Sequence, residues 1–141
     1  MNASVKYLSA LSVDDDVLRQ LRTLEFAASH TRRICFHASP DAPFHVMLVE
    51  AEAGSEFPPH AHTDGDELSV AVDGVLEITA WPQGLDKPAQ VFRLGRDGVP
   101  STFMPRGTPH KTRALGGNAV YLEAKLGPFR PDALVKYEHH G

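Results

Sequence analysis

Between His30 and Lys125 the sequence alternates short runs of β-forming residues with breaks of Gly, Pro and Asp. The runs are Arg33–His37, Phe44–Ala51, Glu56–Ala61, Glu67–Val72, Val75–Trp81, Ala89–Leu94, Ser101–Met104, Lys111–Ala114 and Ala119–Lys125. Eight or nine short strands at this spacing predict an all-β antiparallel sandwich or barrel. The 11 Gly and 11 Pro of the 141 residues fit a fold that is rich in tight turns.

Two glycine-containing breaks lie between consecutive runs of this pattern. Asp73-Gly74 is a two-residue sequence of the kind that forms a hairpin turn with positive φ. Gly116-Gly117-Asn118 is a second break of similar composition. Both are therefore predicted to be hairpin turns.

The N-terminal part of the chain carries the one strong helix signal. Apolar residues recur there at helical spacing, at Val13, Val17, Leu21 and Leu24. This periodicity predicts an amphipathic helix over about residues 13–26. Ser12, three residues before Asp15, predicts a capping box at its start.

The length of the chain is that of one domain, which we divide into three segments. Residues 1–29 form an N-terminal helical segment, 30–131 a barrel and 132–141 a C-terminal tail. His139 and His140, at the end of that tail, are expected to be exposed to solvent and to belong to no site.

Charge and cysteine content exclude several classes of partner. The 14 Lys and Arg residues against 18 Asp and Glu give a net charge of −4, which argues against nucleic-acid binding. No apolar run reaches the ~20 residues of a membrane-spanning helix, so no membrane partner is expected. The single cysteine, Cys35, fits a reducing compartment, and we expect a cytoplasmic protein.

The most informative segment of the chain contains two closely spaced histidines. Residues two apart in a strand point to the same face, so His60 and His62 present two imidazoles side by side. Such a pair suits a transition metal if further ligands arrive from elsewhere. Glu67, after a short turn, and His110, in a separate segment, are the candidates. The alternative is an exposed His-x-His pair that binds no metal.

These residues resemble the two motifs of the cupin family. The first, G-x5-H-x-H-x4-E-x6-G, is matched by Gly54, His60, His62, Glu67 and Gly74. The core of the second, P-x-G-x2-H, is matched by Pro105, Gly107 and His110. The resemblance implies a double-stranded β-helix, or jelly-roll barrel. It also implies one metal at the barrel mouth, with His60, His62, Glu67 and His110 as ligands.

A narrower resemblance is to the WbuC family of cupin-fold metalloproteins, over about residues 12–131. It is carried by the N-terminal helix, the Arg33–His37 element, the Pro-His-x-His segment, Glu123 and the sequence Gly127-Pro128-Phe129. Cys35 stands where that family is expected to have Asn. The resemblance implies a small-molecule ligand related to carbohydrates, because such proteins are encoded near surface-polysaccharide genes. Homodimerisation is expected of a cupin.

Alternating residues of the run at 33–37 are predicted to form a polar wall beside the metal. Arg33 and His37 are separated by an even number of residues and share a face with Cys35. On this interpretation Arg33 binds a carboxylate or phosphate, and His37 moves a proton. The alternative is a surface arginine and a packed histidine. Cys35 is interpreted as a small buried residue, and Glu123 as either an acceptor for a ligand imidazole or a surface residue.

Two classes of function remain open from the sequence. In the first, one divalent transition metal (Zn, Fe, Mn or Ni) acts on a small polar, anionic or sugar-derived molecule in a dioxygenase, isomerase or lyase type of reaction. In the second, the same site binds its ligand without turning it over, as a sensor or accessory protein.

Overall fold

The strands of the protein form one curled sheet that closes into a jelly-roll barrel. The computed structural model describes residues 3–137. The elements are β1 (Val5–Tyr7), α1 (Asp15–Arg22), β2 (Thr31–Cys35), β3 (Phe44–Ala51), β4 (His60–His62), β5 (Glu67–Ala80), β6 (Gln90–Gly95), β7 (Ser101–Met104), β8 (His110–Leu126), a 3₁₀ turn (Pro131–Ala133) and β9 (Leu134–Lys136). The predicted fold class, an all-β barrel with one N-terminal helix, is confirmed.

Two long strands, β5 and β8, run through both sides of the barrel. They pair with each other along most of their length, from Glu67 opposite Lys125 to Ala80 opposite His110. The prediction of hairpin turns at Asp73-Gly74 and at Gly116-Gly117-Asn118 is therefore wrong. Both breaks lie inside strands, at the irregularity where β5 and β8 bend together. Bulges and glycines occur at bends within strands as well as in hairpin turns.

The bend requires glycine at position 74. Gly74 has φ of 72°, and a Cβ placed on it would lie 2.3 Å from the backbone oxygen of Asn118. A side chain at this position would thus hold the two strands apart. The last glycine of the cupin motif is explained by this close approach.

The bend divides the sheet into two facing walls. The helix wall consists of β1, β2, β3, the second half of β8, the first half of β5 and β7. The histidine wall consists of β9, β4, the first half of β8, the second half of β5 and β6. A buried apolar cluster fills part of the space between the walls, including Met47, Val49, Leu76, Ile78 and Leu94.

Helix α1 packs on the outside of the helix wall. Val17 and Leu21 are buried against Ile34, Leu48 and Val120, which point outward from β2, β3 and β8. The structure confirms the amphipathic face but gives a shorter helix than the predicted 13–26.

The N-cap of α1 also differs from the capping box predicted at Ser12. Asp14 has an extended backbone and its side chain accepts a hydrogen bond from the Val17 N–H at 3.0 Å. Because the helix begins at Asp15, Asp14 occupies the cap position and a carboxylate suits the positive end of the helix dipole.

The structure adds strands on both sides of the range 30–131 that we assigned to the barrel. β1 pairs in parallel with β2, and β9, within the predicted C-terminal tail, pairs with β4. His139 and His140 lie outside the described residues, so the prediction for them stays untested. Within residues 3–137, no helix combines the length and the apolar character that crossing a membrane requires.

Candidate metal centre

Three imidazoles meet at one end of the histidine wall. His60 and His62 lie on β4, and His110 begins β8 directly opposite His60. Their potential ligand nitrogens lie within 4.8 Å of one another. The alternation of β4 and its pairing with β8 thus bring together three of the four predicted ligands.

Two of these rings are held by the backbone of their own segment. His60 Nδ1 lies 2.9 Å from the Pro58 carbonyl oxygen, and His110 Nδ1 lies 2.9 Å from the Thr108 carbonyl oxygen. A carbonyl only accepts, so each Nδ1 carries the proton and donates it. Nε2 is consequently the nitrogen with the free lone pair, which is the form that binds a metal.

Burial keeps the three imidazoles neutral. It lowers the pKa of His60 and that of His62 to about 4, with a further contribution from neighbouring positive groups. Burial also lowers the pKa of His110, which is only 3% exposed. Because a protonated imidazole cannot coordinate, this environment prepares the three rings as ligands at neutral pH.

Glu67 reaches the cluster from the opposite wall. Its Oε2 lies 3.1 Å from His62 Nε2, yet this buried oxygen has no hydrogen-bond partner among the described residues. A carboxylate oxygen left without a partner is costly to bury. A cation between it and the imidazoles would remove that cost, so the donor set of three nitrogens and one oxygen fits a divalent transition metal. Glu67 is nevertheless not a member of the tight group that the imidazoles form.

A second carboxyl group, that of Glu123, hydrogen-bonds to Glu67. Burial and the negative charge of Glu123 raise the pKa of Glu67 well above its ordinary value. Lys125, two residues along the same face of β8, helps to hold the pKa of Glu123 below its ordinary value. Two carboxyl groups in contact with each other therefore lie beside the three imidazoles.

The cluster opens into a cavity of about 560 Å³ between the two walls. Apolar side chains, including Val49, Leu76 and Ile78, line part of it, and hydroxyl groups of Ser69, Thr102 and Thr112 line another part. The mixture suits a small molecule with both polar and apolar surface.

Arg33 lines this cavity, as predicted from its place on β2. Its guanidinium donates to Met47 Sδ at 3.6 Å and to Thr31 Oγ1 at 3.3 Å. The role predicted for it in ligand binding stays a prediction.

The prediction that His37 faces the metal must be corrected. β2 ends at Cys35, so the alternation that would aim residue 37 into the barrel does not continue. His37 Nδ1 accepts a hydrogen bond from the Val46 N–H at 3.2 Å, and its ring stacks on that of His45, with centroids 3.9 Å apart. His37 does not line the cavity, whereas His45, which was not predicted to belong to the site, does.

Two other cavity residues, Tyr121 and Lys125, are not among those predicted to form the site. Both lie on β8, on the same face as Glu123, and all three point inward. Alternation within the predicted run Ala119–Lys125 is the signal that indicates this face. Cys35 is 4% exposed and packs in the apolar cluster, in agreement with its interpretation as a small buried residue.

The barrel and the position of the histidine cluster at one end of it define the class of fold: the protein has the cupin fold. Residues 13–84 match the model of the family described as "Domain of unknown function (DUF6016)", and the chain belongs to that family. No curated protein matches the sequence.

Solved structures resemble the chain at low sequence identity. The capsular polysaccharide assembling protein CapF from Staphylococcus aureus is 19% identical with a TM-score of 0.65, covering 79% of this chain and 33% of CapF. Oxalate decarboxylase from Bacillus subtilis is 18% identical with a TM-score of 0.60, covering 75% of this chain and 27% of the enzyme. KdgF from Halomonas sp. is 22% identical with a TM-score of 0.54, covering 73% of this chain and 84% of KdgF.

These likenesses establish the cupin fold and nothing finer. The matched part of the chain spans about a third of CapF and about a quarter of the decarboxylase. The narrower resemblance to the WbuC family and homodimerisation stay predictions.

Proposed function

We propose that the protein binds one divalent transition metal through His60, His62 and His110, with Glu67 as the carboxylate ligand. The observation that carries this proposal is the partnerless Glu67 Oε2 beside the neutral imidazoles. A set of nitrogens with one carboxylate suits Zn, Fe, Mn or Ni.

The ligand of the site, on this proposal, is a small polar molecule related to carbohydrates. Support for this class of ligand comes from CapF, which assembles capsular polysaccharide. The Mn(II) centres of oxalate decarboxylase in Bacillus subtilis support the proposed metal instead. The size of the cavity and the hydroxyl groups that line it are consistent with such a ligand.

The side chains around the metal position are equipped for proton transfer. A bound divalent ion would supply Lewis acidity toward an oxygen atom of the ligand. Glu123 offers a carboxylate that can accept a proton from a ligand hydroxyl, and Lys125 stabilises the charged form of this carboxylate. His60 and His110 keep fixed orientations through their Nδ1 hydrogen bonds. This combination favours an enzyme over a protein that only binds its ligand.

Elemental analysis of protein purified without a metal-affinity column tests the metal. We expect about one transition-metal ion per chain. A double variant His60→Ala, His110→Ala should lose it, because two of the three nitrogens are removed. The control is His37→Ala, a histidine that does not line the cavity and whose ring stacks on that of His45. Retention of full metal content by the double variant would contradict the assignment.

Catalysis is tested separately, by following a candidate sugar-derived substrate with the metal-loaded protein. Glu123→Gln keeps the size of the side chain and removes the acceptor carboxylate. We expect it to lower turnover by about 100-fold or more while metal content stays unchanged. Binding of a ligand that is recovered unchanged with both proteins would instead support the sensor function.

A further inference from the structure

Arg33 is a cation of the cavity that forms no ion pair with the part of the chain that the structure describes, although its charge acts on Glu67 and Glu123. Arg33 is half-buried, and none of the ion pairs among residues 3–137 includes it. Its guanidinium carries five N–H donors. Two of its nitrogens donate hydrogen bonds, one to a thioether sulfur and the other to a hydroxyl group. A partly buried guanidinium is normally satisfied by a carboxylate, so this side chain is prepared for an acceptor that residues 3–137 do not provide.

Charged side chains of both signs face the interior of the cavity. Arg33 and Lys125 are its cations, and Glu67 and Glu123 are carboxyl groups that hydrogen-bond to each other. At the rim, the exposed acidic residues Glu56 and Asp64 are balanced by basic residues at positions 130 and 136. Because the two interior carboxyl groups are engaged with each other, Arg33 is left as a donor for an anionic group of the ligand.

We propose that the ligand of this cavity is a small organic carboxylate whose carboxylate group is bound by Arg33. This inference rests on the proposed function, in which the metal site binds the remaining part of the same ligand. The two oxygens of a carboxylate match two parallel donors of one guanidinium.

A phosphate group is the less suitable oxyanion here. It carries almost two charges at neutral pH and is usually bound by several donors, often with a helix N-terminus. The α-helix that the described residues contain, α1, packs on the outside of the barrel, away from the cavity. Arg33 and Lys125 lie beside the carboxyl groups of Glu67 and Glu123, and this mixture of charges suits a singly charged group better.

Calorimetric titration with defined probes tests this inference. The probes are glycolate, malate and gluconate, together with glucitol, which has an alcohol where gluconate has its carboxylate, and glucitol 6-phosphate. We expect at least one carboxylate to bind and glucitol to bind at least about tenfold more weakly than gluconate. Failure of all three carboxylates to bind, equal binding of glucitol and gluconate, or tighter binding of glucitol 6-phosphate than of any carboxylate would overturn the inference.

Variants locate the binding group. Arg33→Gln should weaken carboxylate binding by about tenfold or more. Arg33→Lys, which keeps the charge but lacks the two parallel N–H donors of the guanidinium, should weaken it by less. The matched control is Arg19→Gln, an exposed arginine of α1. Equal affinity in Arg33→Gln and the control would contradict the proposal. The comparison of gluconate with glucitol uses the unmodified protein and does not depend on whether a variant folds.

Metal content, measured on the same samples, separates this inference from the proposed function. If the unmodified protein binds no metal but still binds a carboxylate through Arg33, the metal assignment fails and the ligand class stands. If metal is bound and carboxylate affinity does not depend on Arg33, the ligand class fails and the metal assignment stands.

Discussion

A histidine can coordinate a metal only when it is neutral and when its lone pair points at the ion. Both conditions are met at His60 by neighbouring atoms: burial removes the positive charge, and the Pro58 carbonyl oxygen fixes the proton on Nδ1. His110 is oriented in the same way by Thr108. The two carbonyl groups lie two residues before the histidines that they orient, so the local chain fixes the orientation of each imidazole without a metal.

The lowered pKa values predict that the metal-free protein is destabilised by acid. The pKa of His60 and that of His62 are about 4 in the folded state, below the ordinary value of 6.5. Between these values the unfolded chain binds more protons than the folded one, so stability is present above 6.5 and is lost as the pH falls. From pH 7 to pH 5 we expect a loss of about 1–2 kcal/mol per imidazole.

Urea unfolding of the metal-free protein at the two pH values measures this loss. The double variant His60→Asn, His62→Asn lacks both groups and should lose much less stability over the same interval. An equal loss in the variant and the unmodified protein would show that other groups cause the acid sensitivity.

At the scale of the elements, sequence patterns predicted the strands well and their connections poorly. The runs Phe44–Ala51 and Ser101–Met104 coincide with β3 and β7, because alternation and β-branched residues report directly on local structure. The break at Asp73-Gly74 was misinterpreted, since a glycine in a bulge and a glycine in a hairpin turn leave the same local signal. Only pairing with a distant strand decides between them.

The same limit applies to the candidate site. His60 and His62 follow from spacing alone, and the cupin motif adds Glu67 and His110. The misplacement of His37 could not be foreseen, because the residue at which β2 ends depends on how the chain turns into β3.

The close approach of β5 to β8 predicts unequal costs for two glycine substitutions. Gly74→Ala combines a positive φ with a Cβ 2.3 Å from the Asn118 oxygen, and should destabilise the protein by about 2–4 kcal/mol. Gly116→Ala has a similar φ of 71° but meets nothing within 4 Å, so about 1 kcal/mol is expected. Chemical denaturation of both variants measures the difference in the free energy of unfolding. Equal losses would mean that β5 and β8 can move apart at Gly74 to accommodate a side chain.

The N-cap of α1 can be tested with two neighbouring substitutions. Asp14→Ala removes the acceptor for the Val17 N–H and should cost about 1 kcal/mol of unfolding free energy. Ser12→Ala should change stability little, because Ser12 does not cap the helix. The opposite ranking of the two variants in thermal melts would restore the capping box that the sequence predicted.

At the scale of the whole molecule, distant parts of the chain complete the site. β4, which carries His60 and His62, is only three residues long. It pairs with β8 at His60 and with β9 along its whole length. Thr63, just after β4, donates both its N–H and its hydroxyl group to the Ala133 carbonyl oxygen, at 2.9 and 3.0 Å. The C-terminal segment therefore supports the strand that holds two ligands.

Shortening the chain tests this support. A protein that ends after Pro131 lacks β9, and we expect its metal affinity to fall by about tenfold or more because β4 is less firmly held. A protein that ends after Tyr137 keeps β9 and should bind metal normally. Thr63→Val, which removes one hydrogen bond to Ala133, should show a smaller loss even if the shorter protein folds poorly. Competition with a chromophoric chelator gives the affinities, and equal values for all proteins would contradict the role of β9.

The two walls of the barrel contribute different side chains to the candidate site. The three imidazoles belong to the histidine wall, whereas Arg33, Glu123 and Lys125 belong to the helix wall. Mutations in β2 or in the second half of β8 can therefore alter the charge and shape that meet a ligand without disturbing the imidazoles. Of the proposed metal-binding set, only Glu67 shares the helix wall with the side chains that would meet a ligand.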